Sequence, residues 1–314
     1  GLVAFAIVGG LLAVVALPVW SAIVENRRAA TDRFVTSVIW AAFAVTLVPL
    51  IWLIWVVVTK GIPVITATFL THDMVQRLDP VTGKLEAGGG LYHALVGTLL
   101  ITLGAVIISV PIGLFTAIYL VEYGKRNRVA RVITFLVDVM TGIPSIVAGL
   151  FALALFTLIF GVGTRMGAMG SIALSLLMIP TVVRSAEEMM RLVPNDLREA
   201  AYALGVPKWR TIVKVVIPTA LGGIITGIVL AISRVIGETA PLLVAVGTYE
   251  AVNTNMFNGR VMTLPVFIMT QYSTATPDGY ARAWGGALIL IVIVMVLNLV
   301  ARIVSKIFAP KTGR

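Results

Sequence analysis

The 314-residue chain contains no cysteine. Disulfide frameworks, thiolate metal centres and cysteine nucleophiles are thereby excluded together. Histidine is almost as scarce: His72 and His93 are too few to build a metal site by themselves. Charged residues make up only 12% of the chain. No G-x-x-x-x-G-K-[ST] loop is present to cradle nucleotide phosphates, and no HExxH, catalytic aspartate pair in adjacent apolar runs or Ser/His arrangement is visible. The net charge of +10 is not gathered into a basic face with interleaved aromatics, so nucleic-acid binding is also disfavoured.

What the chain has instead is apolar length. Hydrophobic residues reach 59% and mean hydropathy is +1.03, values that belong to a polytopic membrane protein of all-α class. A spanning helix needs about 20 apolar residues. Such runs occur near 2–24, 35–59, 92–121, 132–160, 170–186, 219–249 and 283–305, which predicts seven spans. The first lacks the basic start of a signal peptide and reads as an ordinary helix. Segments 25–34, 122–131, 187–218 and 302–314 hold 16 of the 24 basic residues, against 6 in the alternate segments. The positive-inside bias therefore places the first set in the cytoplasm and the N-terminus outside.

The run 219–249 is longer than the roughly 30 Å hydrocarbon core requires, at about 1.5 Å per residue. It is expected to break near Gly237 and Pro241, and a second break is expected at Gly142-Ile143-Pro144-Ser145. Irregular backbone at membrane depth is tolerated only where protein or a wet cavity surrounds it, so both breaks point to a pathway. The inner stretch "PNDLREAAYALGVPKWRTIVKVVIP", 194–218, reads as two short helices. Asp196 and Glu199 form a capping-box pattern, Leu197, Ala200, Ala201 and Leu204 share a face, and Gly205 with Pro207 ends one helix and starts the next. Arg198, Lys208, Arg210 and Lys214 are expected to form a charged rim. The hairpin is either a socket for a cytosolic partner or a surface element packed only on its own domain. The outer stretch 258–273 is expected to carry a short amphipathic helix after Pro265, a lid or docking surface or simply an interfacial helix. The two histidines are expected in solvated or interfacial positions.

Glu199-Ala200-Ala201, three residues, Gly205, nine residues, then Val215-Val216-Ile217-Pro218 resembles the coupling-loop signature of ATP-binding-cassette importer permeases. Val215 and Ile217 replace the usual Ile and Leu. The wider text is similar to that of phosphate-importer permeases of the PstA type: "TGIPSIVAGLFA" from Thr141, "IPTVVRSAEEMMRLVPNDLREAAYALGVPKWRTI" from Ile179 and "SRVIGETAPLL" from Ser233. The resemblance covers about 35–307. It implies a type I importer permease fold with six core spans, and leaves an extra N-terminal helix and linker at 1–34 and a cytoplasmic tail at 308–314 outside the shared core. It further implies a sister permease, two cytosolic ATP-binding subunits carrying the ATP and Mg²⁺, an extracytoplasmic phosphate-binding protein and a multi-pass location in the bacterial inner membrane. The chain itself would bind no cofactor and hydrolyse nothing. Glu199, Ala200, Ala201, Gly205 and Pro207 would form the ATPase-coupling site.

Buried charge supplies the candidate substrate path. An arginine at mid-bilayer costs about 2.5–3.5 kcal/mol on insertion scales, so Arg184 and Arg234 each need a partner, water or a task. The bland reading pairs Arg234 with Glu238 and Arg184 with Glu187 or Glu188, one turn away. The functional reading has both guanidiniums, which offer bidentate donors at any working pH, line a phosphate path. Glu238 would then accept a hydrogen bond from protonated phosphate and disfavour sulfate, which has no proton to give. Asp138, before the first break, is either a path residue or a partner for an arginine. The coupling signature reports an engine and not a cargo, so a permease for another anion is the alternative, and an ATP-independent transporter or channel is the reading from a different class.

Overall fold

The computed structural model describes residues 16, 19–24, 26–78, 85–86, 88–124 and 127–308. Most of the expected span at 2–24, and the tail beyond 308, lie outside them. The chain separates into two compact units, 1–60 and 61–314.

In the first unit α1 (Arg27–Gly61) begins at Asn26, whose Oδ1 accepts the Ala29 N–H at 2.9 Å. That is an N-cap made by the residue type suited to it. Beyond Arg33 the helix is apolar on all sides, the pattern of a lipid-facing span.

The second unit is also helical. After a 3-10 turn (Ile62–Val64) and α2 (Ala67–Thr71), strand pairing among the described residues is confined to an antiparallel pairing of Arg77–Leu78 with Leu85–Glu86 and one isolated bridge. Then follow α3 (Tyr92–Ile118, prolonged by a π turn, Tyr119–Tyr123), α4 (Arg128–Thr141), α5 (Ser145–Phe160), α6 (Gly167–Arg191) and α7 (Asn195–Ala203). The remainder is α8 (Lys208–Thr211), a π turn (Ile212–Val216), α9 (Ile217–Val235), α10 (Ala240–Ala245), α11 (Leu264–Ser273) and α12 (Pro277–Phe308). Among the described residues, five helical stretches are long and apolar enough to cross a membrane, and six if the bent pair α4–α5 counts as one.

The core forms where α3 lies against α6. Without a hydrophobic force between helices in lipid, close packing and interhelical hydrogen bonds must hold them. Ser171 Oγ donates to the Ile101 carbonyl at 3.0 Å and Ser109 Oγ to that of Ser175 at 3.4 Å. Ile101, Met169, Leu174, Met178 and Val182 fill the space between. On the far side from the coupling loop, the Leu264 N–H donates to Thr98 Oγ1 at 2.7 Å and fastens α11 to α3.

Both expected breaks are present. α4 and α5 meet at 108° across Gly142–Pro144, because Pro144 disfavours helical backbone in the residue before it. α9 ends at Val235, and α10 restarts with Pro241 in its first turn. Two expectations need correction. The 208–218 segment is not a separate short helix but runs without interruption through the π turn into α9, and Pro218, the one stop signal in "KWRTIVKVVIP", is accommodated directly after the π turn. The helix α11 is not amphipathic in the simple sense expected, for Leu264, Pro265, Val266, Phe267 and Gln271 are all buried, while Met269, Tyr272 and Ser273 stay exposed. The 3.6-residue pattern showed one apolar side, whereas neighbours cover more than one.

Candidate functional site

The hairpin at 194–218 holds its backbone firmly and leaves its outer surface open. α7 closes with the Val206 N–H bonded to the Ala201 carbonyl at 3.1 Å and the Gly205 N–H to that of Tyr202 at 2.9 Å. This is a Schellman closure, which needs a left-handed residue, and Gly205 has φ +75°. A Cβ there would meet nothing within 4 Å, so conformation rather than space calls for glycine. The start differs from the expected capping box. Pro194 is the N-cap, makes no side-chain cap, and leaves Asp196 and Glu199 inside the helix. Glu199 and Ala200 are exposed while Ala201 is buried. Leu204 is 83% and Trp209 58% exposed, with Leu197 and Val213 exposed nearby.

Arg198 is not part of a charged rim. It is buried at the base of the hairpin, where Nε donates to Glu122 Oε1 at 3.1 Å and Nη2 lies 3.0 Å from the same oxygen. Its Nη1 donates to the Val193 carbonyl at 2.6 Å and Nη2 to that of Met190 at 2.9 Å. Glu122 belongs to the π turn at the end of α3. Lys208 donates to the Glu122 backbone carbonyl and lies 4.6 Å from the centre of the Tyr123 ring. One buried carboxylate and its own carbonyl thus tie both arms of the hairpin to a membrane helix. Sequence inspection missed this clamp; its one signal was an acidic residue at the inner end of an apolar run.

Arg184 is also paired. Its Nη1 donates to Glu187 Oε2 at 2.8 Å, its Nη2 to Asp138, and Glu187 accepts a second arginine, Arg191, at 2.6 Å. The expected partner one turn on is therefore Glu187 rather than Glu188, and Asp138 closes the ladder from α4.

Arg234 differs. It occupies the last turn of α9, is exposed on the chain, and makes no ion pair among the described residues. The i, i+4 pairing with Glu238 does not form, because α9 stops at Val235 and Glu238 falls in the following turn. Glu238 and Thr239 are half-buried there, and the Ser233 hydroxyl is buried without a hydrogen-bond partner. The turn is held from behind by α5: a Cβ on Gly149 would come within 2.6 Å of the Pro241 backbone. The stretches "TGIPSIVAG" and "GETAPLL" are therefore spatial neighbours. His93, expected in a solvated position, is buried edge-on to Phe267 at 5.6 Å.

Residues 109–314 match the family model described as binding-protein-dependent transport system inner membrane component. The chain belongs to this family. It is 46% identical over 279 residues to phosphate transport system permease protein PstA 1 of Mycobacterium tuberculosis, covering 88% of this chain and 90% of that one. Similarity to PstA of Mycobacterium leprae is 47% over 277 residues (88% and 89% covered), and to PstA of Yersinia pestis 39% over 274 residues (86% and 88%). A solved structure of the MetNI methionine ABC transporter in an inward-facing conformation superposes with a TM-score of 0.55 at 17% identity, over 70% of this chain and 95% of that one. That likeness shows the type I ABC importer permease fold. The permease thus joins a membrane bundle, a broken helix carrying Arg234 and a surface hairpin of the coupling type.

Proposed function

We propose that this permease is the membrane subunit of an ATP-driven inorganic phosphate importer in the bacterial inner membrane. It works with a sister permease, two cytosolic ATPase subunits that hold ATP and Mg²⁺, and an extracytoplasmic phosphate-binding protein. The observation that carries the cargo is the 46% identity to a phosphate permease across nearly the whole of both chains. The geometry supports a coupling role for the hairpin. An open apolar patch at Leu204 and Trp209 beside Glu199 gives an ATPase cleft something to grip, with Ala200 and Ala201 keeping the approach shallow and Gly205 and Pro207 shaping the turn. The Arg198–Glu122 clamp and the unbroken α8–α9 rod carry its movement into two membrane helices.

Arg234 is assigned to the path. An exposed guanidinium is costly against hydrocarbon and has no acidic partner among the described residues, so it suits a face covered by water and a sister subunit. Glu238 beside it selects an anion that still carries a proton. Arg184 and Asp138 stand at the cytoplasmic end of that path, where Asp138 and Glu187 hold the guanidinium until an anion competes for it. The test is ATP-dependent uptake of labelled phosphate into vesicles holding the assembled complex, with sulfate as competitor. Phosphate uptake that resists sulfate in the native complex, with sulfate inhibition appearing in Glu238→Gln, supports this reading. Uptake of another anion in place of phosphate would make the chain a permease for that anion, and transport without any ATPase would make it a secondary transporter.

A further inference from the structure

A cavity of about 440 Å³ lies at the joint between the membrane bundle and the coupling hairpin. Its walls come from the π turn ending α3, the first turns of α4, the last turns of α6 and the base of α7, all within the second compact unit. It is separate from the Arg234 turn, none of whose residues lines it. Five of its lining residues are charged: Glu122, Arg131, Glu187, Arg191 and Arg198.

The charges do not cancel. Glu122 is already bonded by Arg198, and Glu187 by Arg184 and Arg191. Arg131 makes no side-chain hydrogen bond or ion pair among the described residues, and Arg191 uses one nitrogen on Glu187 and keeps 65% of its side chain exposed. A guanidinium carries five N–H donors, so two arginines from different helices hold most of their donors in reserve around one space. The N-terminal turn of α4 adds a partial positive charge of its own. The cavity falls within the range of roughly 300–1,000 Å³ typical of small-molecule sites. Planar, bidentate donors suit a tetrahedral oxyanion better than a point charge would.

We propose that this cavity binds a phosphoryl anion, as free inorganic phosphate from the cytosol or as the headgroup of an anionic phospholipid, held by Arg131 and Arg191. Bound there, the anion bridges α4 to the end of α6 directly above the hairpin, where it stiffens the joint through which coupling movement passes. The proposal does not depend on which solute the permease carries.

The chain's lack of cysteine makes the test direct. Thr134, half-buried and lining the cavity, is changed to Cys, and the complete complex is placed in lipid discs. The rate at which a small neutral maleimide modifies that thiol is followed by mass spectrometry of this chain. One arm uses phosphatidylcholine discs with inorganic phosphate added; the other uses discs containing phosphatidylglycerol, without phosphate. The expected result is a slowing of about tenfold in at least one arm, relative to phosphatidylcholine alone, abolished by Arg131→Gln in complexes that still co-purify. Slowing by phosphate only, or by phosphatidylglycerol only, identifies the source. No slowing in either arm would overturn the proposal, as would slowing of equal size in the Arg131→Gln complex. Equal slowing by phosphate would mean that it acts through the transport path, and equal slowing by phosphatidylglycerol that the lipid acts away from Arg131. Loss of phosphate uptake with protection intact would count against the proposed cargo and leave this site standing.

Discussion

At the scale of single residues, Arg198 and Gly205 carry the coupling hairpin for different reasons. Arg198 neutralises a buried carboxylate and satisfies two backbone carbonyls, so Arg198→Ala strands Glu122 without its partner. Breaking a buried pair from one side costs about 3–5 kcal/mol, whereas exposed Arg210→Ala stays within about 0.5 kcal/mol. Thermal unfolding of the purified complex should separate the two variants by that margin, and equal midpoints would refute the clamp. Gly205→Ala asks an L-residue to adopt φ +75° with room around it, a penalty of about 1–2 kcal/mol. It should lower ATPase coupling moderately while leaving the membrane bundle assembled, as native gel migration would show. Gly205 was legible in the sequence because a helix stop is a local signal. Arg198 was not, since its partner lies 76 residues away and nothing local distinguishes it from Arg210.

At the scale of elements, the breaks were legible for the same local reason: Gly142, Pro144, Gly237 and Pro241 punctuate apolar runs that would otherwise continue. The bend of 108° between α4 and α5 was not, because proline marks where a helix ends and the neighbours decide where the chain then goes. Nor was the burial of α11, since α3, to which it is fastened, is 166 residues away in sequence. Continuity of α8 with α9 through a π turn was hidden by Pro218, which sits in the first turn of α9, where proline is tolerated. Contact between α5 and the first turn of α10 yields a prediction. Gly149→Ala brings a methyl to 2.6 Å from the Pro241 backbone and must push the charged turn away. Transport should fall by roughly tenfold or more, the scale on which small misplacements act, while co-purification with the ATPase persists. Native transport in Gly149→Ala would show that the turn's position is unimportant.

At the scale of the whole molecule, composition alone assigned the class, and the loop bias of 16 basic residues against 6 predicts an orientation. That orientation puts Leu204 inside and Thr274 outside, both on exposed surface. In the cysteine-free chain, Leu204→Cys should react with a membrane-impermeant thiol reagent only after the cytoplasmic face is opened, and Thr274→Cys should react in intact cells. The cargo could not be reached by patterning, because the coupling hairpin reports the engine, and relatives rather than periodicity brought phosphate into view. On the sequence Arg234 already stood apart, deeper in its run and beside an expected break, and the fold separates the two further: Arg184 is held by Asp138 and Glu187, while Arg234 stands exposed at a helix break. The measurement that tests this difference most directly is ATP-dependent phosphate uptake by assembled complexes bearing Arg234→Gln, against native complexes in the same vesicles. Uptake reduced by about a hundredfold with assembly intact is expected, the scale on which a charge-assisted, bidentate contact to a passing anion acts. Uptake at the native rate in Arg234→Gln would contradict the assignment and move the anion path elsewhere.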